Sequence, residues 1–238
     1  MRRCFGFLAA AAIGLAAETR EFTSGENRTQ LLELFTSEGC SSCPPAEAWR
    51  VTLGAHSGLW RDFVPVAWHV DYWDRLGWKD RFASRAATER QHGYARDWSS
   101  GSVYTPCFVL SGAEWRGRGA APTRSNEPAG VLRATHASGR VDVHFAPPTA
   151  GDYDAHAVLL GLDLRSRVTR GENAGRDLRH AFVAVTSPVR ARVSEGAAEL
   201  VLPPPPADIA DLALAVWVTR AGEHTPLQAT GGPLTASR

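Results

Sequence analysis

Cys40 and Cys43, three positions apart, sit where an apolar run ends and a helix begins, and this placement constrains the chain more than any other feature. Residues 29–35 (TQLLELF) read as a short buried strand, and residues 36–42 as a loop of small and polar side chains. Pro44 and Pro45 suit a first helical turn, where a missing N–H costs nothing. Residues 46–55 then carry Trp49 and Leu53 at helical spacing, and residues 63–70 (FVPVAWHV) form the next apolar run. Strand, helix and strand in this order make a βαβ unit, which requires parallel strands. A Cys-x-x-Cys pair alone fits a redox motif, half a zinc site or a structural disulfide. Its position between strand and helix favours the redox motif. A helix N-terminus offers unpaired N–H groups and the positive end of a dipole, and both favour thiolate over thiol. Cys40 is therefore the expected nucleophile, and Cys43, one turn later, the resolving thiol.

The leading residues set the expected compartment. Arg2 and Arg3 precede an apolar stretch over residues 5–17, and small Gly14, Ala16 and Ala17 precede polar Glu18 and Thr19. That order reads as a secretory signal over residues 1–17, cleaved near Ala16 or Ala17, with export to a periplasmic or extracellular space. The stretch is shorter than the ~20 residues of a membrane span, and no later segment of the mature chain qualifies. Arg2, Arg3 and Phe5 also hint at a twin-arginine leader. Losing Cys4 with the signal leaves Cys40, Cys43 and Cys107, so one thiol has no internal partner. With 26 basic and 25 acidic residues, scattered rather than clustered, the chain has no electrostatic footprint for nucleic acid.

The remainder divides into two patterns. Residues 71–102 form a long excursion, aromatic at first, with helical propensity over residues 82–98. Residues 107–110 form a third strand, with a hairpin partner over 113–117 and a closing helix expected over 128–137. From Arg140 onward, alternating segments at 141–145, 156–164, 180–193, 198–202 and 212–220 suggest a small antiparallel β-sandwich. The expected fold class is α/β: a thioredoxin-like domain over residues 18–138, then a β-sandwich over 139–238.

Other residues extend the chemistry. Glu33 is an acid inside an apolar strand, where an ionised carboxylate must be paired, protonated or functional unless it faces solvent from an edge. Thr105-Pro106 opens the third strand, where proline fits a cis bond. His69 ends the second strand. If it converged with Cys40, Cys43 and Cys107, the set would suit Cu(I) or Zn(II); a hydrogen-bonding histidine at a strand end is the plainer reading. Free Cys107 is by default an inert buried residue. The aromatic cluster over residues 68–82 fits either core or a peptide-binding lip, and the polar loop over 171–180 either an inter-strand turn or a docking surface.

TSEGCSSCPPAE, then WHVDYWDRLGWKDRFAS, then VYTPCFVLSG resemble the exported thioredoxin-like proteins grouped as domain-of-unknown-function family 1223, and RGENAGRDLRH resembles that family's C-terminal portion. The resemblance implies a thioredoxin-like fold followed by a β-rich region. By similarity to thioredoxins at large, Cys40 attacks, Cys43 resolves, and Thr105 and Pro106 present substrate through a cis-proline. Glu33 would match the buried supporting acid, one residue further from the motif than usual. Cys107 departs from the pattern, since the family commonly has a non-thiol residue there. The expected function is thiol–disulfide exchange on exported proteins or small thiols, with a separate redox partner and no cofactor beyond the disulfide. The rival expectations are copper or zinc delivery through Cys40, Cys43 and His69, and a non-catalytic binding module.

Overall fold

The computed structural model describes residues 19–117 and 119–235. The signal expected over residues 1–17, with Cys4, lies outside the described residues. Strand β1 (Arg20–Thr23) leads to β2 (Gln30–Thr36), helix α1 (Pro44–Thr52) and β3 (Phe63–His69). Helix α2 (Arg85–Asp97) precedes β4 (Cys107–Leu110) and β5 (Ala113–Glu114). The rest is strand: β6 (Val131–Ala137), β7 (Arg140–Ala146), β8 (Tyr153–Gly161), β9 (Leu164–Arg167), β10 (Asp177–His180) and β11 (Val183–Ala184). β12 (Val189–Val193), β13 (Ala197–Val201), β14 (Leu212–Arg220) and β15 (Pro226–Pro233) follow. The fold is mixed α/β and mostly sheet. Among the described residues, no helix is long and apolar enough to cross a membrane.

β2 and β3 are parallel, as the βαβ reading requires, and lie at the centre of a nine-stranded sheet ordered β15-β14-β8-β11-β3-β2-β4-β5, with β12 paired to β8. Every residue of β3 is buried, including Pro65, which central strands normally exclude. Its position explains the tolerance. Ala67 donates its N–H toward the β11 side, to Phe182, and Pro65, two residues earlier, faces the same side; in register, β11 reaches only Ala67. The missing donor falls where no strand asks for it.

The second sheet, β1-β6-β7-β13, lies against the β8-β14-β15 half of the first. Leu132, Ala134, Val141, Val143 and Phe145 from one face meet Ala155, Ala157, Leu214, Val216 and Val218 from the other. A separate core covers the β2–β4 region, with Phe35, Trp68, Tyr94 and Val109 on the α2 face and Trp49 of α1 meeting Phe108 on the other.

Two expectations change. Residues 131–137 are strand β6 rather than the closing helix. Leu132 and Ala134 are buried and Arg133 exposed, a period of two, and Ser138-Gly139, both at positive φ, turn the chain into β7. A boundary at residue 138 would therefore cut a hairpin. Nor does the large sheet respect it: Val183 of β11 pairs with Ala67 of β3, while β1 joins the second sheet through β6. Chain from both sides of residue 138 builds both of these sheets, while β9 and β10 pair apart from them.

Candidate active site

Cys40 and Cys43 form a disulfide with Cα atoms 5.4 Å apart. Cys43 is the N-cap of α1, and its carbonyl accepts from Ala46 and Glu47. Pro44 and Pro45 at the first helical positions remove two backbone donors that a helix start normally presents. The dipole remains, but fewer N–H groups face the sulfurs than the sequence argument assumed. A hydroxyl stands closer: Ser42 Oγ is 3.4 Å from Cys40 Sγ.

Thr105–Pro106 is a cis peptide, and the motif reaches it directly, Ser42 Oγ donating to the Thr105 carbonyl at 3.5 Å. Trp73 donates its indole N–H to Thr105 Oγ1 at 2.9 Å and packs its Cβ 3.1 Å from where Gly39 would carry one. Trp49 of α1 meets Phe108 and Trp115 edge-on and tilted, at 5.1 and 5.7 Å. With Pro45 and Pro106 these rings line a groove of about 400 Å³ beside the motif.

Both cysteines are buried, Cys40 at 0% and Cys43 at 1% exposure. The β9–β10 loop docks on the backbone beside them. Asn173, itself buried, donates to the carbonyls of Glu38 and Cys40 at 2.8 and 2.9 Å, and Glu172 accepts from the Ser41 N–H at 3.3 Å. The polar loop read at 171–180 is thus an inter-strand turn that docks onto the chain's own motif.

Glu33 lies elsewhere. Side chains alternate along β2, and Glu33 shares the face of Phe35, which meets Tyr94 of α2; Leu34 pairs with Phe108, the neighbour of α1. One residue of offset moves the acid to the opposite face from the motif's helix. There it accepts from Trp68 at 2.7 Å, from Arg90 at 2.5 Å and from the Tyr94 hydroxyl. Arg90 also stacks over Trp217 of β14, so the ion pair ties α2 to the second half of the chain. Glu33 does not support the cysteines by contact.

Cys107 is free and buried, and lines a cavity with Gln91, Ala95 and Trp98 on the α2 side. Burial pushes its thiol up to about 11. His69 turns to Asp80, its Nδ1 2.6 Å from Oδ2, and to Glu47. The sulfur-and-imidazole metal set does not assemble around these contacts.

The sequence reading missed the polar cluster under α1. Glu38, Glu47, Arg50, His69, Asp80 and His180 are all buried. Glu47 follows Cys43 by one helical turn, and both line a cavity of about 340 Å³ with His180. Burial pushes the Glu47 carboxyl up, but the Arg50 guanidinium 2.7 Å away and the contact with His180 hold it well below the usual range. Burial likewise lowers His180, yet Glu38 and Glu47 beside it carry it up to about 9. Glu47, His69 and His180 each bring a ligand atom within 4.8 Å of the others. The available signal was the i,i+3 pair Glu47 and Arg50, two charged residues on the buried face of α1.

A family model described as "Protein of unknown function (DUF1223)" matches residues 31–219. No curated protein shows a significant match. Among solved structures, a protein of Agrobacterium tumefaciens determined by X-ray crystallography is similar at 23% identity and a TM-score of 0.59, over 90% of this chain and 99% of that one. HBP35 of Porphyromonas gingivalis is similar at 11% identity and a TM-score of 0.54, over 90% of this chain and 80% of its own. At such identities the likeness concerns the fold alone.

Proposed function

The chain belongs to the DUF1223 family, and we propose that it works as a thioredoxin-like thiol–disulfide oxidoreductase through Cys40 and Cys43. One observation carries the reading: the disulfide at the start of α1 meets a cis Thr105–Pro106 peptide through the Ser42 hydroxyl. The parallel β2–β3 pair, with antiparallel β4 and β5 beside it, supports the thioredoxin-like part. The groove of Trp49, Pro106, Phe108 and Trp115 suits an apolar stretch of a protein substrate.

In the oxidised direction a substrate thiolate attacks Cys40 Sγ, and the Cys40–Cys43 bond breaks. The electron pair leaves on Cys43 Sγ, which takes a proton. A second substrate thiolate attacks the substrate sulfur of the mixed disulfide and releases Cys40 as a thiolate, which the Ser42 hydroxyl and the α1 dipole stabilise. Two thiols become one disulfide and two electrons pass to the motif; of the two protons the thiols lose, one ends on Cys43 and the other goes to solvent while Cys40 stays a thiolate. A reduced motif meeting a substrate disulfide runs the same steps backward. Access to Cys40 requires the Asn173 loop to lift. The reading includes export, expected from residues 1–17, because substrate disulfides persist outside the cytoplasm.

Equilibration in glutathione buffers, quenched by alkylation, tests it. The expected result is a reversible two-electron transition, with Cys43→Ser accumulating a mixed disulfide on Cys40. A native protein whose disulfide stays closed in excess dithiothreitol has a structural link instead, and the reading fails.

A further inference from the structure

The polar cluster beneath α1 contains more buried hydrogen-bonding capacity than its neighbours satisfy. His69 Nε2, His180 Nε2, Glu47 Oε1 and Glu38 Oε1 are all buried without a hydrogen-bond partner. Each belongs to a side chain at least nine-tenths buried, since His69, His180 and Glu38 are 1% exposed and Glu47 6%. Glu38 Oε1 lies 3.2 Å from His180 Nε2, an ion-pair contact not aligned as a hydrogen bond, and Glu47 Oε1 lies 3.8 Å from His69 Nε2, beyond hydrogen-bond distance. An unpaired buried polar atom costs on the order of 1–3 kcal/mol. Six in one cluster, Nε and Nη1 of Arg50 included, call for an occupant.

Charge decides what kind. Glu38, Glu47 and Asp80 bring three carboxylates to the cluster, and Arg50 brings one guanidinium, bound to Glu47 Oε2 at 2.7 Å. With both imidazoles neutral, as metal ligands must be, the excess is two negative charges, and the proton that Glu38 and Glu47 favour on His180 removes only one of them. A water molecule would fill space and leave that excess. Protons on both imidazoles would cancel it, yet leave Glu47 Oε1 and the two Nε2 groups unmatched in direction. A divalent cation cancels the charge and takes up the lone pairs together.

The second sphere is already built. Asp80 is held by the N–H groups of Glu38 at 2.8 Å and Phe82 at 2.9 Å, and in turn holds His69 Nδ1 at 2.6 Å. That bond puts the proton on Nδ1 and aims the Nε2 lone pair inward, the usual support of a metal-binding histidine. Two imidazoles and a carboxylate suit zinc, with a fourth position left open. Ligand atoms around tetrahedral zinc are about 3.3 Å apart. Those of Glu47, His69 and His180 lie within 4.8 Å, so seating an ion asks for a modest closing of side chains. The cavity lined by Cys43, Glu47 and His180 gives the ion a way in.

We propose that Glu47, His69 and His180 form a Zn(II) site beneath the disulfide that uses neither Cys40 nor Cys43. The site does not depend on the redox reading; either stands if the other fails. The test uses the full mature protein with its disulfide closed, stripped with chelator, and titrated with Zn(II) by calorimetry and with Co(II) by visible absorbance. Expected are one ion per chain, a cobalt spectrum of low coordination number, and a thermal midpoint that zinc raises and chelator returns. His180→Gln and Glu47→Gln should each weaken zinc at least tenfold, whereas Cys40→Ala/Cys43→Ala should bind like wild type. In the wild-type protein, needing no variant to fold, zinc should shift the imidazole nitrogen resonances of His69 and His180. The proposal is overturned if the oxidised wild type takes up no stoichiometric zinc, if those resonances stay put, or if binding needs the reduced cysteines.

Discussion

Asn173 donates its side-chain amide to the carbonyl of Cys40 at 2.9 Å, across 133 residues of sequence. The same amide holds the Glu38 carbonyl, so one side chain pins both ends of the turn that leads into the disulfide. Asn173→Ala removes both bonds; the Cys40 carbonyl keeps the Cys43 N–H at 3.2 Å, but the buried Glu38 carbonyl loses its partner, at a cost of about 1–3 kcal/mol. The loop should lift more often, and dithiothreitol should reduce the Cys40–Cys43 bond severalfold faster. Stopped-flow reduction followed by alkylation measures this. An unchanged rate in a folded variant would mean the loop does not gate the sulfurs.

Glu33 is expected to matter for stability and not for exchange. Glu33→Gln keeps one acceptor oxygen, for Trp68, but sets an amide NH2 against the Tyr94 hydroxyl and leaves the largely buried Arg90 without its counter-charge. Breaking one side of such a pair costs on the order of 3–5 kcal/mol. Urea midpoints should fall accordingly, while the equilibrium with glutathione stays at the wild-type value. A shifted equilibrium in a folded Glu33→Gln protein would connect the acid to the motif after all.

Cys107 should behave as a core residue. Burial holds its thiol up to about 11, so little thiolate exists at pH 8. Native oxidised protein should resist iodoacetamide there, and unfolded protein should take one label. Cys107→Ala should cost roughly 1–2 kcal/mol and leave disulfide cycling intact. Rapid labelling of the native thiol would contradict the burial.

Local pattern made half of this architecture readable. Cys40–Cys43 between a strand and a Pro-Pro helix start, and Thr105-Pro106 before a strand, are short-range signals, and the structure brings them together through Ser42. What the sequence hid is long-range. β11, two residues long, has no periodicity to detect, yet it joins β3 to β8 and merges the halves. Ser138-Gly139 was a visible hairpin turn, outweighed by an apparent helical run before it. His180 and Glu38 stand 142 positions apart, and only the tertiary fold sets them 3.2 Å from each other. Glu33 shows the opposite failure: its burial was foreseeable, but its face depended on a parity that one residue reverses.

His156 should make the protein sensitive to mild acid. Burial pushes its imidazole from an ordinary 6.5 down to about 3, helped by the positive charges of Arg90 and Arg190. It stacks on Trp217 with ring centroids 5.2 Å apart, and Nε2 meets the Thr219 hydroxyl at 3.1 Å. In the unfolded chain the ring gains its proton near pH 6.5; in the fold it stays neutral until about pH 3. Between those values the unfolded state binds more protons, so stability rises with pH and is lost as acid is added. From pH 7 to pH 5 this one group should remove up to about 2 kcal/mol, less what solvent screens at its partly exposed edge. His156→Phe keeps a ring against Trp217 and cannot take a proton. Its urea midpoint should be lower than wild type at pH 7, because Thr219 loses its partner, but should fall less on going to pH 5. If both proteins lose the same stability over that interval, the acid sensitivity lies in another group and His156 is not its source.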